Sequence, residues 1–337
     1  MLKVGLIGCG GMGSMHAACY EAMGDLIQVT AAADVRMECA EKACVPWGGK
    51  AYTSAEEMLK TEEFDFVDIC VPTYLHTKYA VMAMEVVGNV FIEKPVCLSK
   101  EEAGILIAAK QRTGAKVQIG QVIRFWKEYV WLKETMEKGP YGKIKSAVFS
   151  RLSQNPVWGW ENWFNDPAKS GTAGLDLHIH DVDYVRYLMG QPDTFSSVAA
   201  RDDGGVLQEI ITTYHYGNVP IIARGCWDMP DKYPFSMSFC VKFEQATVEF
   251  DSACKSLCVH TDTQSFTPQL AGGFESTKDL GINVSELGGY YNELLYFANG
   301  IKDHTDLTVA PLEEGVQSLY LALDEIEATG GQVSCKK

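Results

Sequence analysis

The sequence predicts an α/β fold in two parts, a doubly wound parallel sheet followed by a region built on an antiparallel sheet. Three observations carry this. Apolar runs of strand length alternate with helical patterns up to Val122. A glycine-rich turn joins the first of these strands to the first helix. From Lys143 onward, strand-like stretches follow one another without helices between them. Strand–helix alternation implies parallel strands with crossover helices, whereas strands in direct succession pair antiparallel.

In the first part, Val4, Leu6 and Ile7 form an apolar strand that runs into Gly8-Cys9-Gly10-Gly11-Met12-Gly13, and Ser14 to Ala22 reads as a helix. A strand turning into a helix through G-x-G-x-x-G is a dinucleotide fingerprint. Gly8 allows the turn, Gly10 lets the backbone approach a pyrophosphate, and Gly13 permits close helix–strand packing. The helix N-terminus offers free N–H groups and a positive dipole end. The second apolar run, Ile27 to Ala33, ends in Asp34, where an acid would accept hydrogen bonds from a ribose diol. A tight turn and a helix-capping aspartate would use the same residues, but the two signals coincide in one βαβ unit and favour a nucleotide. Asp34 repels a 2′-phosphate, so NAD is the expected cofactor. Arg36 could accommodate that phosphate, which leaves NADP open.

Helices are expected over Met37–Cys44 and Ser54–Leu59, then a strand over Asp65–Val71 that ends at Pro72-Thr73. The following helix, Tyr74 to Val87, carries His76 in its first turn, and Thr73 suits its N-cap. Ligands of open α/β sheets bind at the carboxyl ends of strands, where Pro72, Thr73 and His76 fall. The strand Asn89–Ile92 ends in Glu93-Lys94-Pro95. A Glu-Lys pair there could be a solvated charge pair. Beside a positive nicotinamide and partly buried, however, the lysine would shift toward useful basicity and suit proton transfer. Helix Lys100–Thr113 and strand Lys116–Val122 complete the alternation.

In the second part, strands are expected over Lys143–Ser153, Thr194–Ala200, Gln208–Tyr216, Pro220–Cys226, Phe235–Phe243 and Ala246–Phe250, with Tyr216-Gly-Asn-Val219 as a hairpin turn. Between the first two lies a loop rich in tryptophan (Trp158, Trp160, Trp163), either a local aromatic core or a platform for a sugar face or nicotinamide ring. Leu175 to Leu188 reads as a helix stopped by Gly190 and Pro192. On it Asp176, His180 and Asp183 share one face, so Asp176 can hold His180 in a fixed tautomer and make it a better base. His178 points to nearly the opposite side, and no metal site is expected. Arg124 and Arg151, near strand ends facing the same cleft, either bind substrate hydroxyls or a carboxylate or are simply solvated; as ligands they are expected to face the substrate. Helices Tyr291–Ile301 and Leu312–Ala328 follow, with Tyr290 and Tyr291 expected in the core.

At 337 residues, two domains are expected, 1–123 for the cofactor and 124–337 for substrate and oligomerisation. A net charge of −15 argues against nucleic acid or an anionic membrane as partner. No apolar run reaches membrane-spanning length. The 11 cysteines are scattered without C-x-x-C pairs. With no signal peptide at the start, they read as reduced thiols of a cytoplasmic protein.

Taken in order, GCGGMGSMH (Gly8–His16), VPTYLH (Val71–His76), EKP (Glu93–Pro95), GQVIRF (Gly120–Phe125) and DLHIHDVD (Asp176–Asp183) resemble the glucose-fructose oxidoreductase, inositol dehydrogenase and MocA family over essentially the whole chain. The resemblance implies an N-terminal Rossmann domain and a C-terminal α/β domain with a large, open, mostly antiparallel sheet that forms homodimers or homotetramers. It implies NAD(P)-dependent redox chemistry on a sugar or cyclitol, a catalytic Lys94, often with a cis Lys94–Pro95 bond, and catalytic Asp176 and His180. Expected cofactor contacts are Gly8, Gly10, Gly11, Met12, Gly13, Asp34, Arg36, Pro72, Thr73, His76, Glu93, Lys94, Gln121 and Trp163. Expected substrate contacts are Lys94, Arg124, Arg151, Trp160, Asp176 and His180. Where family members often have Trp-Arg, this chain has Trp163-Phe164. Two alternatives stand beside a dehydrogenase. One is a glycoside hydrolase or lyase that oxidises its sugar transiently with retained NAD. The other is a non-enzymatic nucleotide sensor, which is disfavoured because Lys94 and the Asp-His pair are kept.

Overall fold

The computed structural model describes residues 1–254, 256–270 and 287–330. They form two compact units, the first made of Met1–Val122 with the described part of Gly273–Gln317, the second of the described parts of Ile123–Gly272 and Ser318–Lys337.

The first unit alternates strand and helix: β1 (Leu2–Ile7), α1 (Gly11–Ala22), β2 (Ile27–Ala33), α2 (Met37–Cys44), β3 (Lys50–Tyr52), α3 (Ala55–Thr61), β4 (Phe66–Ile69), α4 (His76–Val86), β5 (Asn89–Glu93), α5 (Lys100–Thr113) and β6 (Lys116–Gly120). The strands form one parallel sheet in the order β3-β2-β1-β4-β5-β6. That is the doubly wound order of dinucleotide-binding sheets, with its switch point between β1 and β4. Because both faces are covered, the central strands are mostly apolar; Phe66 to Ile69 is buried at every position, Asp68 included. β3 went unforeseen because it has only three residues. Ser54 and Ser99 cap α3 and α5 through their hydroxyls. Thr73 does not cap as expected. A 3₁₀ turn over Thr73–Leu75 precedes α4, and neither element has a side-chain cap.

The second unit contains α6 (Lys127–Lys138), β7 (Ile144–Gln154), α7 (Pro167–Ser170), α8 (Ile179–Met189), β8 (Thr194–Arg201), β9 (Leu207–Tyr216), β10 (Val219–Met229), β11 (Ser236–Phe243), β12 (Thr247–Asp251), β13 (Ser256–His260) and β14 (Ser265–Phe266). Its eight strands order as β14-β13-β12-β11-β7-β10-β9-β8, antiparallel throughout except where β10 runs parallel to β7. Side chains alternate, so one face, Phe149 among it, packs toward Tyr184, which meets Tyr129, while Val148 and Val198 point outward and are exposed. Gly217, at φ 59°, makes the β9–β10 turn.

The chain then returns to the first unit with α9 (Gly288–Lys302), and α10 (Leu312–Ala328) ends the described residues' helical content. The sequence reading placed all of 124–337 in the second domain. Instead Phe297 of α9 meets Phe66 and Phe91 edge-on at 5.1 and 5.5 Å. Burying Leu294, Phe297 and Ile301 there contributes about 1.5–3 kcal/mol each. No helix among the described residues is long and apolar enough to cross a membrane.

Candidate active site

The glycine turn is built for close approach. Gly8 has φ +88°, and a Cβ on it would lie 2.7 Å from the Cys70 backbone. A Cβ on Gly13 would lie 2.0 Å from the Gly8 carbonyl oxygen, so only glycine lets α1 start this near β1. Gly10 occupies the N-cap without a side-chain cap, and the first turn, which holds Gly11 and Met12, carries no acid. Its amide groups are therefore available to an anion. Asp34 follows β2; its Oδ2 accepts from the Cys9 N–H at 2.8 Å and its Oδ1 from the Arg36 N–H at 2.9 Å and Nε at 3.4 Å. Arg36 thus lies against Asp34, as the sequence spacing allowed. Just past β6, the Gln121 side-chain oxygen is buried without a partner among the described residues. The turn, the uncapped helix, Asp34 and this orphaned oxygen all fit a bound dinucleotide.

At the carboxyl end of β5, the Lys94–Pro95 peptide bond is cis. Pro72 is half-buried and Thr73 buried at the end of β4. His76 and Glu93 depart from their expected ligand-facing positions. Both ring nitrogens of His76 point at backbone carbonyls, Nδ1 at Pro95 (2.8 Å) and Nε2 at Val71 (2.9 Å). Burial pushes its pKa down, against the pull of those carbonyls. A neutral imidazole has one N–H, so His76 donates to one of these carbonyls and rests against the other. Glu93 is also turned inward: Oε1 lies 3.0 Å from His16 Nε2 and Oε2 accepts the Lys94 N–H at 3.0 Å. These inward positions correct the expectation that both residues touch cofactor.

In the second unit, the tryptophan loop is a small aromatic core around Phe164. Trp163 stacks on Phe164 at 4.0 Å and Trp158 meets it edge-on at 4.6 Å. Trp160 stays 51% exposed. After Thr172, whose φ of +61° is rare for a β-branched residue, the chain makes a π turn over Ala173–Leu177 before α8 begins. The expected single helix is thus broken: the His178 N–H reaches back five residues to the Ala173 carbonyl at 2.8 Å. Asp176 lies in the π turn, half-buried, and His180 is buried in the first turn of α8.

The other charges of this segment turn inward. His178 Nε2 lies 2.8 Å from Glu325 Oε2, which also accepts from the Thr212 hydroxyl at 2.9 Å. Arg124 forms a bidentate pair with Asp183 at 2.8 and 2.7 Å, and Arg151 pairs with Asp181 at 3.2 and 3.1 Å. Both guanidinium groups are buried. The expectation that these arginines face a substrate is corrected: each balances a buried aspartate, as bidentate geometry favours.

Comparison with known proteins now decides the family. A model described as the oxidoreductase family, NAD-binding Rossmann fold, matches residues 2–121, and the GFO/IDH/MocA C-terminal domain matches residues 129–249. The chain belongs to the GFO/IDH/MocA oxidoreductase family. Among relatives, it is 30% identical over 194 residues to a myo-inositol 2-dehydrogenase of Thermotoga maritima, covering 56% of this chain and 55% of that protein. It is 27% identical over 205 residues to a glucose-6-phosphate 3-dehydrogenase of Bacillus subtilis, covering 60% and 57%. The chain therefore spans about half the length of the curated relatives it matches. An oxidoreductase from Agrobacterium radiobacter, solved with NAD⁺, L-tartaric acid and magnesium, superposes with a TM-score of 0.85 at 16% identity, covering 98% of this chain and 96% of that one; it shares the fold. Family membership makes the first unit an NAD-binding Rossmann fold, in keeping with its glycine turn and Asp34.

Sequence reasoning missed the buried polar groups behind Lys94. His16 in α1 sits between Asp68 (Nδ1 to Oδ2, 2.8 Å) and Glu93, and the Tyr20 hydroxyl donates to the same Asp68 oxygen at 2.7 Å. Burial alone would push His16 down, but the Asp68 carboxylate and Cys70 outweigh it and hold its pKa well above the usual value. Glu293 of α9 completes the group. The available signal was a charge on an apolar stripe: Glu293 falls between Tyr290, Leu294 and Phe297, and Asp68 lies inside an apolar strand.

Proposed function

We propose that this protein is an NAD-dependent oxidoreductase acting on a secondary hydroxyl, or the matching ketone, of a sugar, cyclitol or sugar derivative. The observation that carries the reading is Lys94 at the carboxyl end of a strand in a dinucleotide-type sheet, in a chain that also keeps Asp176 and His180. Bound NAD supplies the hydride acceptor. His180 takes the hydroxyl proton as the carbon–hydrogen bond is lost, with Asp176, half-buried in the turn before it, as a second catalytic candidate. The Lys94 ammonium donates a hydrogen bond to the oxygen as negative charge develops there. The Gly8–Gly13 turn and the start of α1 hold the pyrophosphate, Asp34 the ribose diol, and Gln121 a further polar group of the cofactor. Trp160 offers an apolar ring face to the sugar, while Pro72, Thr73 and Trp163 remain candidate cofactor contacts.

The proposal extends to a cytoplasmic protein that assembles as a homodimer or homotetramer through the open face of the second sheet. Its outward valines Val148 and Val198 are 43% and 65% exposed, and every cysteine among the described residues is a free thiol. The test is a spectrophotometric screen of NAD⁺ and NADP⁺ against myo-inositol, glucose 6-phosphate, simple glucosides and uronates. Accumulating NADH on one of them supports the reading. Substrate consumption without net NADH would instead establish the retained-cofactor lyase. Lys94→Ala should abolish most turnover while NADH still binds, and full turnover in that variant overturns the assignment.

A further inference from the structure

Lys94 is gripped on both sides by buried side chains. Its own N–H donates to Glu93 Oε2 at 3.0 Å, and the carbonyl of the next residue, Pro95, lies 2.8 Å from His76 Nδ1. Glu93 is fixed in turn. Its other oxygen lies 3.0 Å from His16 Nε2, and its neighbour across β6, Gly120, has no side chain to intrude. A Cβ at Gly120 would come within 3.0 Å of Glu93 Oε1. His16 is anchored to Asp68 on its far side and stands on α1, three residues beyond Gly13. A continuous chain of contacts therefore runs from the helix that begins at the glycine turn, through His16 and Glu93, to the peptide N–H of Lys94.

Stability does not account for this arrangement. Buried charges lose more on leaving water than well-packed apolar side chains of the same shape, and the surroundings here, Phe66, Phe91 and Phe297, are apolar. What the charged chain supplies is direction: two oxygens of one carboxylate fix two elements at defined distances. We propose that His16 and Glu93 are positioning residues for Lys94, tying the cofactor-binding helix to the reactive amine so that the lysine's approach is set by the element that holds the dinucleotide. The inference rests on the reading of Lys94 as catalytic.

The test uses Glu93→Gln, which keeps the shape and removes the charge, with Lys94→Ala as reference, on the sugar that turns over fastest in the screen. In Glu93→Gln, kcat should fall about 10²-fold, as a displacement of about 1 Å does. The NADH dissociation constant, read by fluorescence, should stay unchanged and the pH profile of kcat should shift. Because His16 acts through Glu93, the double variant His16→Gln, Glu93→Gln should be no slower than Glu93→Gln alone. If Glu93→Gln fails to fold, Gly120→Ala carries the test, since it displaces the same carboxylate by a few tenths of an ångström with every charge intact; it too should lower kcat and spare NADH binding. Unchanged kcat with only a lower melting temperature overturns the positioning role while Lys94→Ala stays inactive. An active Lys94→Ala, or a screen in which no sugar turns over, sinks the reading of Lys94 and this inference together.

Discussion

Replacing Glu293 by methionine should stabilise the protein, and by an amount that grows with pH. Glu293 is fully buried on the apolar stripe of α9, and neither carboxylate oxygen has a partner among the described residues. One of its oxygens lies within 4.8 Å of ligand atoms of His16 and Glu93. Burial, and next the Glu93 carboxylate, push its pKa well above the usual carboxylate range of about 4.5. Folding therefore takes up a proton at any pH above the unfolded value, and stability is lost as pH rises toward the folded pKa. The linkage slope is about 1.4 kcal/mol per pH unit for one proton. Methionine has similar length and no charge, and it removes a buried unsatisfied group worth about 1–3 kcal/mol. Relative to wild type, Glu293→Met should gain about that much near pH 4.5, with the gain rising by about 1.4 kcal/mol per unit above it. Urea denaturation of both proteins between pH 5 and 8.5 reads the difference directly. A gain that is flat with pH, or a variant less stable than wild type at pH 8, refutes the reasoning and means that the carboxylate is charged and paired.

His16 has the same sign: its raised pKa gives stability that is complete below about 6.5 and fades as pH climbs through the folded value, so His16→Gln should flatten the alkaline limb of the wild-type stability curve. Arg124→Met strands Asp183 in the interior and should cost about 3–5 kcal/mol by denaturation while NADH binding survives; a normal stability with a raised substrate KM would restore the expectation that Arg124 binds substrate. Gly13→Ala drives a methyl to 2.0 Å from the Gly8 carbonyl. The strain of about 1–3 kcal/mol should weaken NADH binding roughly ten- to hundredfold, measured by fluorescence titration. Asp34→Ala leaves Arg36 without its carboxylate and should raise the NADP⁺ to NAD⁺ ratio in kcat/KM, whereas an unchanged ratio would place the ribose elsewhere.

What could be read in advance was local. The glycine turn needs three positions without Cβ atoms, and the sequence displays them. β2 ends where its apolar run meets Asp34. Alternation of strand and helix forced the parallel sheet, and succession of strands forced the second one. The return of α9 to the first unit could not be read locally, because an amphipathic helix reveals that it has a partner but not which one. The same holds for polar residues. Arg124 and Arg151 look like ligand contacts at strand ends until Asp183 and Asp181 are found beside them, 59 and 30 residues away. His76 and Glu93 stand where ligand contacts are expected, yet their partners are the Val71 and Pro95 carbonyls and His16 of α1.

The π turn shows why counting residues along a helix misassigned one face. With α winding from Asp176 onward, Asp176 would share a stripe with His180 and Asp183. One extra residue in the turn rotates everything before it by about 100° relative to everything after. Asp183 then goes to Arg124 and Ser318 in the interior, with the Ser318 hydroxyl donating at 2.7 Å, while Asp176 keeps partial exposure. A structural aspartate and a proposed catalytic one, seven residues apart, are thereby given different environments. Thr172 and Gly171, both at positive φ, set the direction in which this turn is entered. The irregularity therefore separates Asp176 from the charges that hold α8 in place, while His180 and Asp183, both beyond it, stay three residues apart on the same helix.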